Sequence, residues 1–200
     1  MNQLLQINTS LFSNQGQSSQ MADRFVTAFR ERHPEAAVVL RDVAGEPVPH
    51  LDARRFGAFT TLAEQRTPEQ QAVVAYSDTL IDELRAADVI VLGLPMYNFG
   101  VPSQLKSYFD HVARAGETFR YTANGPEGLI KNKKAYVFAA RGGLYVGTPL
   151  DTQTTYVRDF LRFIGIEDVE FVYAEGLAID AQTRSRALEQ ANDSISRLAA

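Results

Sequence analysis

The chain has 200 residues, 45% of them hydrophobic, and a formal net charge of −4. That length suits a single domain over residues 1–200 that holds its core without disulfides or metal. The absence of cysteine excludes disulfides, iron–sulfur ligation, thiol catalysis and thiolate zinc sites, and the mild negative charge gives no general attraction to nucleic acid or an anionic membrane.

In chain order, Met1 to Ile7 lacks a basic start and a long apolar stretch, so a cytoplasmic protein is expected. Leu4-Leu5-Gln6-Ile7 reads as a first strand. Ser19 to Arg32 reads as an amphipathic helix with Met21, Phe25, Val26 and Phe29 at helical spacing. Ala36 to Leu40, rich in valine, is a second strand. The stretch from Val43 to Thr67 carries Pro47 and Pro49 and a short helix near Ala53 to Ala63. Thr67-Pro68-Glu69-Gln70 starts the next helix, with Thr as N-cap, Pro in the first turn and Gln three residues after the cap. It runs to about Arg85. Asp88 to Leu94 is a third strand whose unbroken hydrophobicity fits cover on both faces, and its Val89 to Leu94 run is too short to span a bilayer.

Ser103 to Ala115 reads as a helix with Gly116 as its C-cap. Glu117 to Asn132 is irregular and long enough to suggest a functional or partner-binding role. Ala135 to Ala140 and Val169 to Tyr173 are the fourth and fifth strands. Thr152 to Ile164, ended by Gly165, and Ala181 to Leu198 complete the helices. This alternation predicts an α/β three-layer sandwich: a five-stranded parallel sheet of order 2-1-3-4-5 with helices on both faces.

In such a sheet a ligand lies beyond the carboxyl ends of the strands, at the switch point between strands one and three. The turn after strand one, Asn8 to Ser19, is dense in hydroxyls and amides and has no Lys or Arg. With the following helix N-terminus it suits a phosphate monoester rather than a triphosphate with magnesium; the same Ser and Asn residues also serve as ordinary helix caps. It is not GxGxxG, which speaks against a dinucleotide site. The loop after strand three, Pro95-Met96-Tyr97-Asn98-Phe99-Gly100, offers aromatic faces and amide groups to a flat ring with a polar edge, such as an isoalloxazine; a tight turn that plugs the sheet end is the plainer reading. The loop after strand four, Arg141-Gly142-Gly143-Leu144-Tyr145, brings backbone N–H groups or a cation to the far side of the crevice, or is a simple Gly-Gly turn. His33 and His50 read as surface groups, and His111 as packed rather than as a proton donor.

Taken together, Pro95 to Phe99, Gln104-Leu105-Lys106, Tyr108-Phe109-Asp110, Val112 to Gly116, Thr118 to Thr122, Asn124 to Leu129, Arg141-Gly142-Gly143, Phe163 to Ile166 and Ala174-Glu175-Gly176 give the chain a resemblance to the bacterial FMN-dependent NAD(P)H azoreductases, also described as quinone reductases, of flavodoxin-like fold. The resemblance covers essentially the whole chain. It implies FMN phosphate held at Ser10, Gly16, Gln17 and Ser18, the ring lined by Met96, Tyr97, Asn98 and Phe99, and its other side met by Arg141, Gly142 and Gly143. It implies NADH or NADPH as donor, and planar quinones and azo compounds as acceptors reduced by ping-pong two-electron transfer. It also implies a homodimer whose sites are shared, with Phe119 and Tyr121 near the shared pocket and Tyr145 bordering the substrate space. Ala140 stands where relatives often carry Ser. No side chain is assigned as catalytic and no metal is expected. The alternative reading is an electron-transfer flavodoxin without its own small-molecule substrate.

Overall fold

Each central strand is apolar on both faces because helices cover both. The computed structural model describes residues 3–199. Its main sheet contains β1 (Gln3–Asn8), β2 (Ala37–Asp42), β3 (Val89–Pro95), β6 (Lys134–Ala140) and β7 (Asp168–Ala174) in the order β2-β1-β3-β6-β7. All four pairings are parallel. With the sheet strands counted alone this is the predicted 2-1-3-4-5 order, the flavodoxin-like arrangement. The remaining two strands, β4 (Phe119–Thr122) and β5 (Gly125–Gly128), form a separate antiparallel hairpin.

The two-residue period of a strand sorts β3 between two cores. Ile90, Leu92 and Leu94 face a cluster with α3 (Pro68–Ala86), α4 (Ser103–Val112) and α5 (Thr152–Ile164). Val89 and Val91 face the other cluster, with Met21, Phe25 and Phe29 of α1 (Gln17–Arg32) and Ile195 of α6 (Ala181–Leu198). The apolar stripe read from α1 is therefore the buried one. Thr67 and Gln70 form the expected capping box of α3, and Gly165 closes α5 in a left-handed conformation at φ 107°. Among the described residues, no helix is long and apolar enough to cross a membrane.

Several expected boundaries are corrected. α4 stops at Val112, and its C-cap is Ala113 rather than Gly116. The Thr118 hydroxyl ends the helix by donating to the Val112 carbonyl at 2.6 Å while accepting from the Arg114 N–H at 3.1 Å. The Ala53-to-Ala63 segment divides into α2 (Ala53–Thr60), capped by Asp52, and a 3-10 turn over Ala63–Gln65. The stretch Glu117 to Asn132, expected to be irregular, contains the β4–β5 hairpin. That hairpin sits on the C-terminal end of α5: Phe119 packs on Phe163 with ring centroids 4.3 Å apart, and a Cβ on Gly128 would lie 2.1 Å from the Gly165 nitrogen. Only a residue without a side chain fits that crossing.

His111 is packed as expected. It is fully buried, its Nδ1 lies 3.0 Å from the Ser107 carbonyl, and burial holds its pKa below the ordinary histidine value. His50 is exposed, with its Nδ1 2.9 Å from the Ser107 hydroxyl.

Candidate functional site

β1 and β3 run side by side and end together, Asn8 opposite Gly93, so the loops that follow them share one edge of the sheet. Thr9 fastens that edge: it is fully buried and its hydroxyl donates to the Gly93 carbonyl at 2.8 Å. Beyond it the chain turns back through Ser13, at φ 48°, and a short 3-10 turn over Ser13–Gln15. The Ser10 hydroxyl accepts the Phe12 N–H at 3.2 Å. Gly16 is the N-cap of α1 and supplies no capping side chain. Its place admits nothing larger, since a Cβ there would lie 2.0 Å from the Ser10 Oγ.

The result is a helix N-terminus with no side chain over its first N–H groups, beside one serine hydroxyl and next to two more. The hydroxyls of Ser18 and Ser19 are buried and have no protein partner. Buried hydroxyls are ordinarily paired, and the first-turn N–H groups of a helix attract an anion through both hydrogen bonding and the dipole. Ser10, Gly16, Gln17 and Ser18, the residues expected to hold a phosphate, thus lie together around a cradle of neutral donors. An FMN phosphate fits this donor set. Ser19 was not singled out in the sequence; its position two residues into the helix matched an ordinary amphipathic start.

The second loop is a two-residue reverse turn. Tyr97 donates its N–H to the Gly100 carbonyl at 3.2 Å and accepts the Gly100 N–H at 3.0 Å. The two residues between them have positive φ, 50° at Asn98 and 64° at Phe99. This is the backbone of a tight hairpin turn in which Asn is at home and Phe is not. A bulky residue held there costs about 1–3 kcal/mol and persists where its surroundings over-determine it. Met96 begins the loop by donating to the Ala140 carbonyl at 3.1 Å. The Tyr97 hydroxyl accepts the Leu11 N–H at 3.1 Å and lies 3.5 Å from the Ser10 Oγ, so one side chain joins the phosphate cradle to the aromatic turn.

The third loop follows β6. Phe99 meets Tyr145 edge-to-face at 5.7 Å, which joins this loop to the turn. The guanidinium of Arg141, expected as a cation for the ligand, is engaged within the protein. Its side chain is fully buried, paired with Asp151 at 2.8 Å and Glu175 at 3.1 Å, hydrogen-bonded to Thr154 at 3.1 Å, and stacked over the Tyr173 ring at 5.1 Å. Burial alone would push the Asp151 carboxyl up, but hydrogen bonds from Arg141 and Thr154 outweigh it and hold the group below the usual carboxylate range. Glu175 also accepts the N–H groups of Tyr145 and Val146, at 2.9 and 3.1 Å. Arg141 therefore shapes the loop from behind. Gly142 and Gly143 accept through their carbonyls from Ala178 and Gly176, an arrangement that ties the loop backbone to the segment after β7. The network of Arg141, Asp151 and Glu175 was missed in the sequence; the Asp151 cap position was its one local trace.

Phe119 and Tyr121 are not brought to these loops within one chain. Their hairpin is attached to the last turn of α5, where Ile130 donates to the Ile164 carbonyl at 2.8 Å. Asp151 and Thr152 lie at the other end of that 13-residue helix, roughly 20 Å away at 1.5 Å per residue. Phe119 is mostly buried against Phe163, whereas Tyr121 is 75% exposed.

Residues 2–198 match the family described as having a flavodoxin-like fold. A protein of Cellvibrio japonicus named FMN-dependent NADH:quinone oxidoreductase is 60% identical over 174 residues, 87% of each chain. One of the same name from Burkholderia thailandensis is 56% identical over 195 residues, 98% of each chain. Among solved structures, an azoreductase from Bacillus anthracis superposes with a TM-score of 0.91 at 28% identity, covering 100% of this chain and 99% of that one. An FMN-dependent NADH-azoreductase from the same species, in complex with FMN, gives 0.88 at 26% identity with both chains fully covered. The chain belongs to the flavodoxin-like family and stands within it among the proteins named FMN-dependent NADH:quinone oxidoreductase.

Proposed function

We propose that this chain, as one flavodoxin-like domain, is an FMN-dependent NAD(P)H oxidoreductase that reduces quinones and cleaves aromatic azo compounds to amines. The observation that carries the reading is the convergence of an uncapped helix N-terminus, carrying the unpaired buried hydroxyls of Ser18 and Ser19, with the strained aromatic turn at Tyr97–Gly100. Bound FMN supplies the chemistry, taking two electrons from a nicotinamide and passing two to an acceptor. An azo bond needs two such rounds to reach two amines. Ser10, Gly16, Gln17 and Ser18 hold the phosphate. Met96, Tyr97, Asn98 and Phe99 line one side of the ring, and the backbone of Arg141, Gly142 and Gly143 borders the other. Phe99 and Tyr145 offer aromatic surface where donor and acceptor stack in turn, and stacking admits many planar molecules.

The names of the close relatives favour NADH as donor. The placement of Phe119 and Tyr121 far from their own crevice supports a homodimer in which each hairpin completes the partner's site. The lack of cysteine and the use of a nicotinamide donor suit a cytoplasmic protein.

The test is steady-state oxidation of NADH by the purified yellow protein with a quinone or azo dye and no added protein. Parallel lines in double-reciprocal plots are expected from alternating occupancy of one slot. A protein that binds FMN yet turns over only with a partner protein would instead be an electron carrier.

A further inference from the structure

The Tyr97–Gly100 turn is strained, so something must hold it, and the first turn of α5 does so. Gln153 is fully buried and donates through its Nε2 to two carbonyls, Pro95 at 2.9 Å and Gly100 at 2.8 Å. These are the residues at which the loop leaves β3 and at which the turn closes. The neighbouring Thr152 hydroxyl donates to the Phe99 carbonyl. The Gly100 carbonyl thereby receives both Gln153 and the Tyr97 N–H. The amide orientation is set by its acceptors, because the reverse one would point an oxygen at both carbonyls. In this orientation the Gln153 Oε1 is buried without a partner. An unpaired buried acceptor is destabilising, and an apolar side chain of the same length would move that cost to the Pro95 carbonyl, since the Gly100 carbonyl alone keeps a second donor, the Tyr97 N–H. What the glutamine adds is control over where the turn lies.

We infer that Gln153 is a positioning residue that fixes the Pro95–Gly100 turn against the flavin and thereby sets the affinity and reduction potential of bound FMN. The inference rests on the reading of this turn as the ring-lining wall. Gln153 acts through backbone carbonyls and has no role in the phosphate cradle. Its removal therefore weakens the ring contacts and leaves the anion contacts in place. Oxidised and reduced flavins differ in charge and hydrogen bonding at the ring, so a displaced turn changes their affinities unequally.

The experiment compares wild type, Gln153→Met, Gln153→Asn and Tyr97→Ala. Each apoprotein is titrated with FMN by flavin fluorescence, and the midpoint potential of each reconstituted protein is measured. Gln153→Met is expected to raise the FMN Kd about tenfold, with a circular dichroism spectrum close to wild type and an apoprotein Tm lower by several degrees. If oxidised and reduced FMN differ tenfold in what they lose, the potential moves by about 30 mV for a two-electron couple. Gln153→Asn keeps a buried amide but is one methylene short and reaches one carbonyl at most, so it falls between the two. If Gln153→Met binds FMN within about twofold of wild type at unchanged potential while Tyr97→Ala loses it, the Gln153 inference is overturned. If Tyr97→Ala also binds as wild type, the ring-wall reading itself fails. Should neither Gln153 variant fold, wild-type NMR decides: the Gln153 side-chain NH2 signals move between oxidised and reduced holoprotein, and signals that stay fixed overturn the inference.

Discussion

At the scale of single residues, the informative atoms are those with nothing to bind. Ser18 lies in the first turn of α1 with its hydroxyl buried and unpaired. If that hydroxyl donates to a phosphate, Ser18→Ala removes one hydrogen bond to a charged group, about 1.5–3 kcal/mol, or roughly a ten- to hundredfold rise in the FMN Kd. Riboflavin has the same ring and no phosphate, so its affinity should not change. Titrating both ligands into wild-type and Ser18→Ala apoprotein separates the cases; an equal loss for both would mean that the serine supports the fold rather than the phosphate. The hydroxyl-rich composition of this loop was legible in the sequence. Which hydroxyls lack a partner was not, because that depends on Gly16 letting the backbone turn against Ser10.

At the scale of elements, the first turn of α5 connects two walls of the crevice. Asp151 caps the helix by accepting the Thr154 N–H at 3.1 Å and pairs with Arg141 of the loop after β6, while Thr152 and Gln153 hold the turn after β3. Since the folded Asp151 carboxyl lies below its ordinary value, the sign of its pH effect follows. Its contribution to stability is complete above the unfolded value of about 3.9 and is lost as pH falls through the depressed folded value. Asp151→Asn keeps a capping side chain but removes the charge, and Glu175 still pairs with Arg141. The cost at neutral pH should therefore fall short of the roughly 3–5 kcal/mol of a wholly orphaned buried charge. Urea unfolding of the two proteins across pH checks this. The gap should be constant near neutrality and narrow below about pH 4; a gap that widens on acidification contradicts the assignment.

The same element shows what a sequence read locally omits. Strands, helices and the box at Thr67–Gln70 follow from periodicity and caps within a few residues. Arg141 meets Asp151 and Glu175 across ten and thirty-four positions, and Gln153 meets Pro95 across fifty-eight, well beyond the few residues over which a cap is read. The β5 strand Gly125-Pro126-Glu127-Gly128 has little strand propensity of its own. It is a strand because Gly128 and Gly165 let the hairpin settle on α5.

At the scale of the whole molecule, the hairpin and the crevice lie at opposite ends of α5, and Tyr121 is largely exposed. In a twofold dimer that lends each hairpin to the other subunit's crevice, every site takes its loops from one chain and Tyr121 from the other. Two defective chains can then repair one another. Gly16→Val places a side chain against Ser10, where even a Cβ would stand 2.0 Å away, and closes the phosphate cradle of its own chain. Tyr121→Ala leaves that cradle intact but removes the wall given to the partner. Each variant alone is expected to be poorly active with NADH and a quinone. In an equal mixture that has exchanged subunits, about half the dimers are mixed, and one of the two sites in each draws both contributions from unaltered residues. Activity should then rise to about one quarter of wild type, apart from residual turnover by the parents. Sites contained within single chains would predict no gain on mixing, because every crevice would keep its own defect.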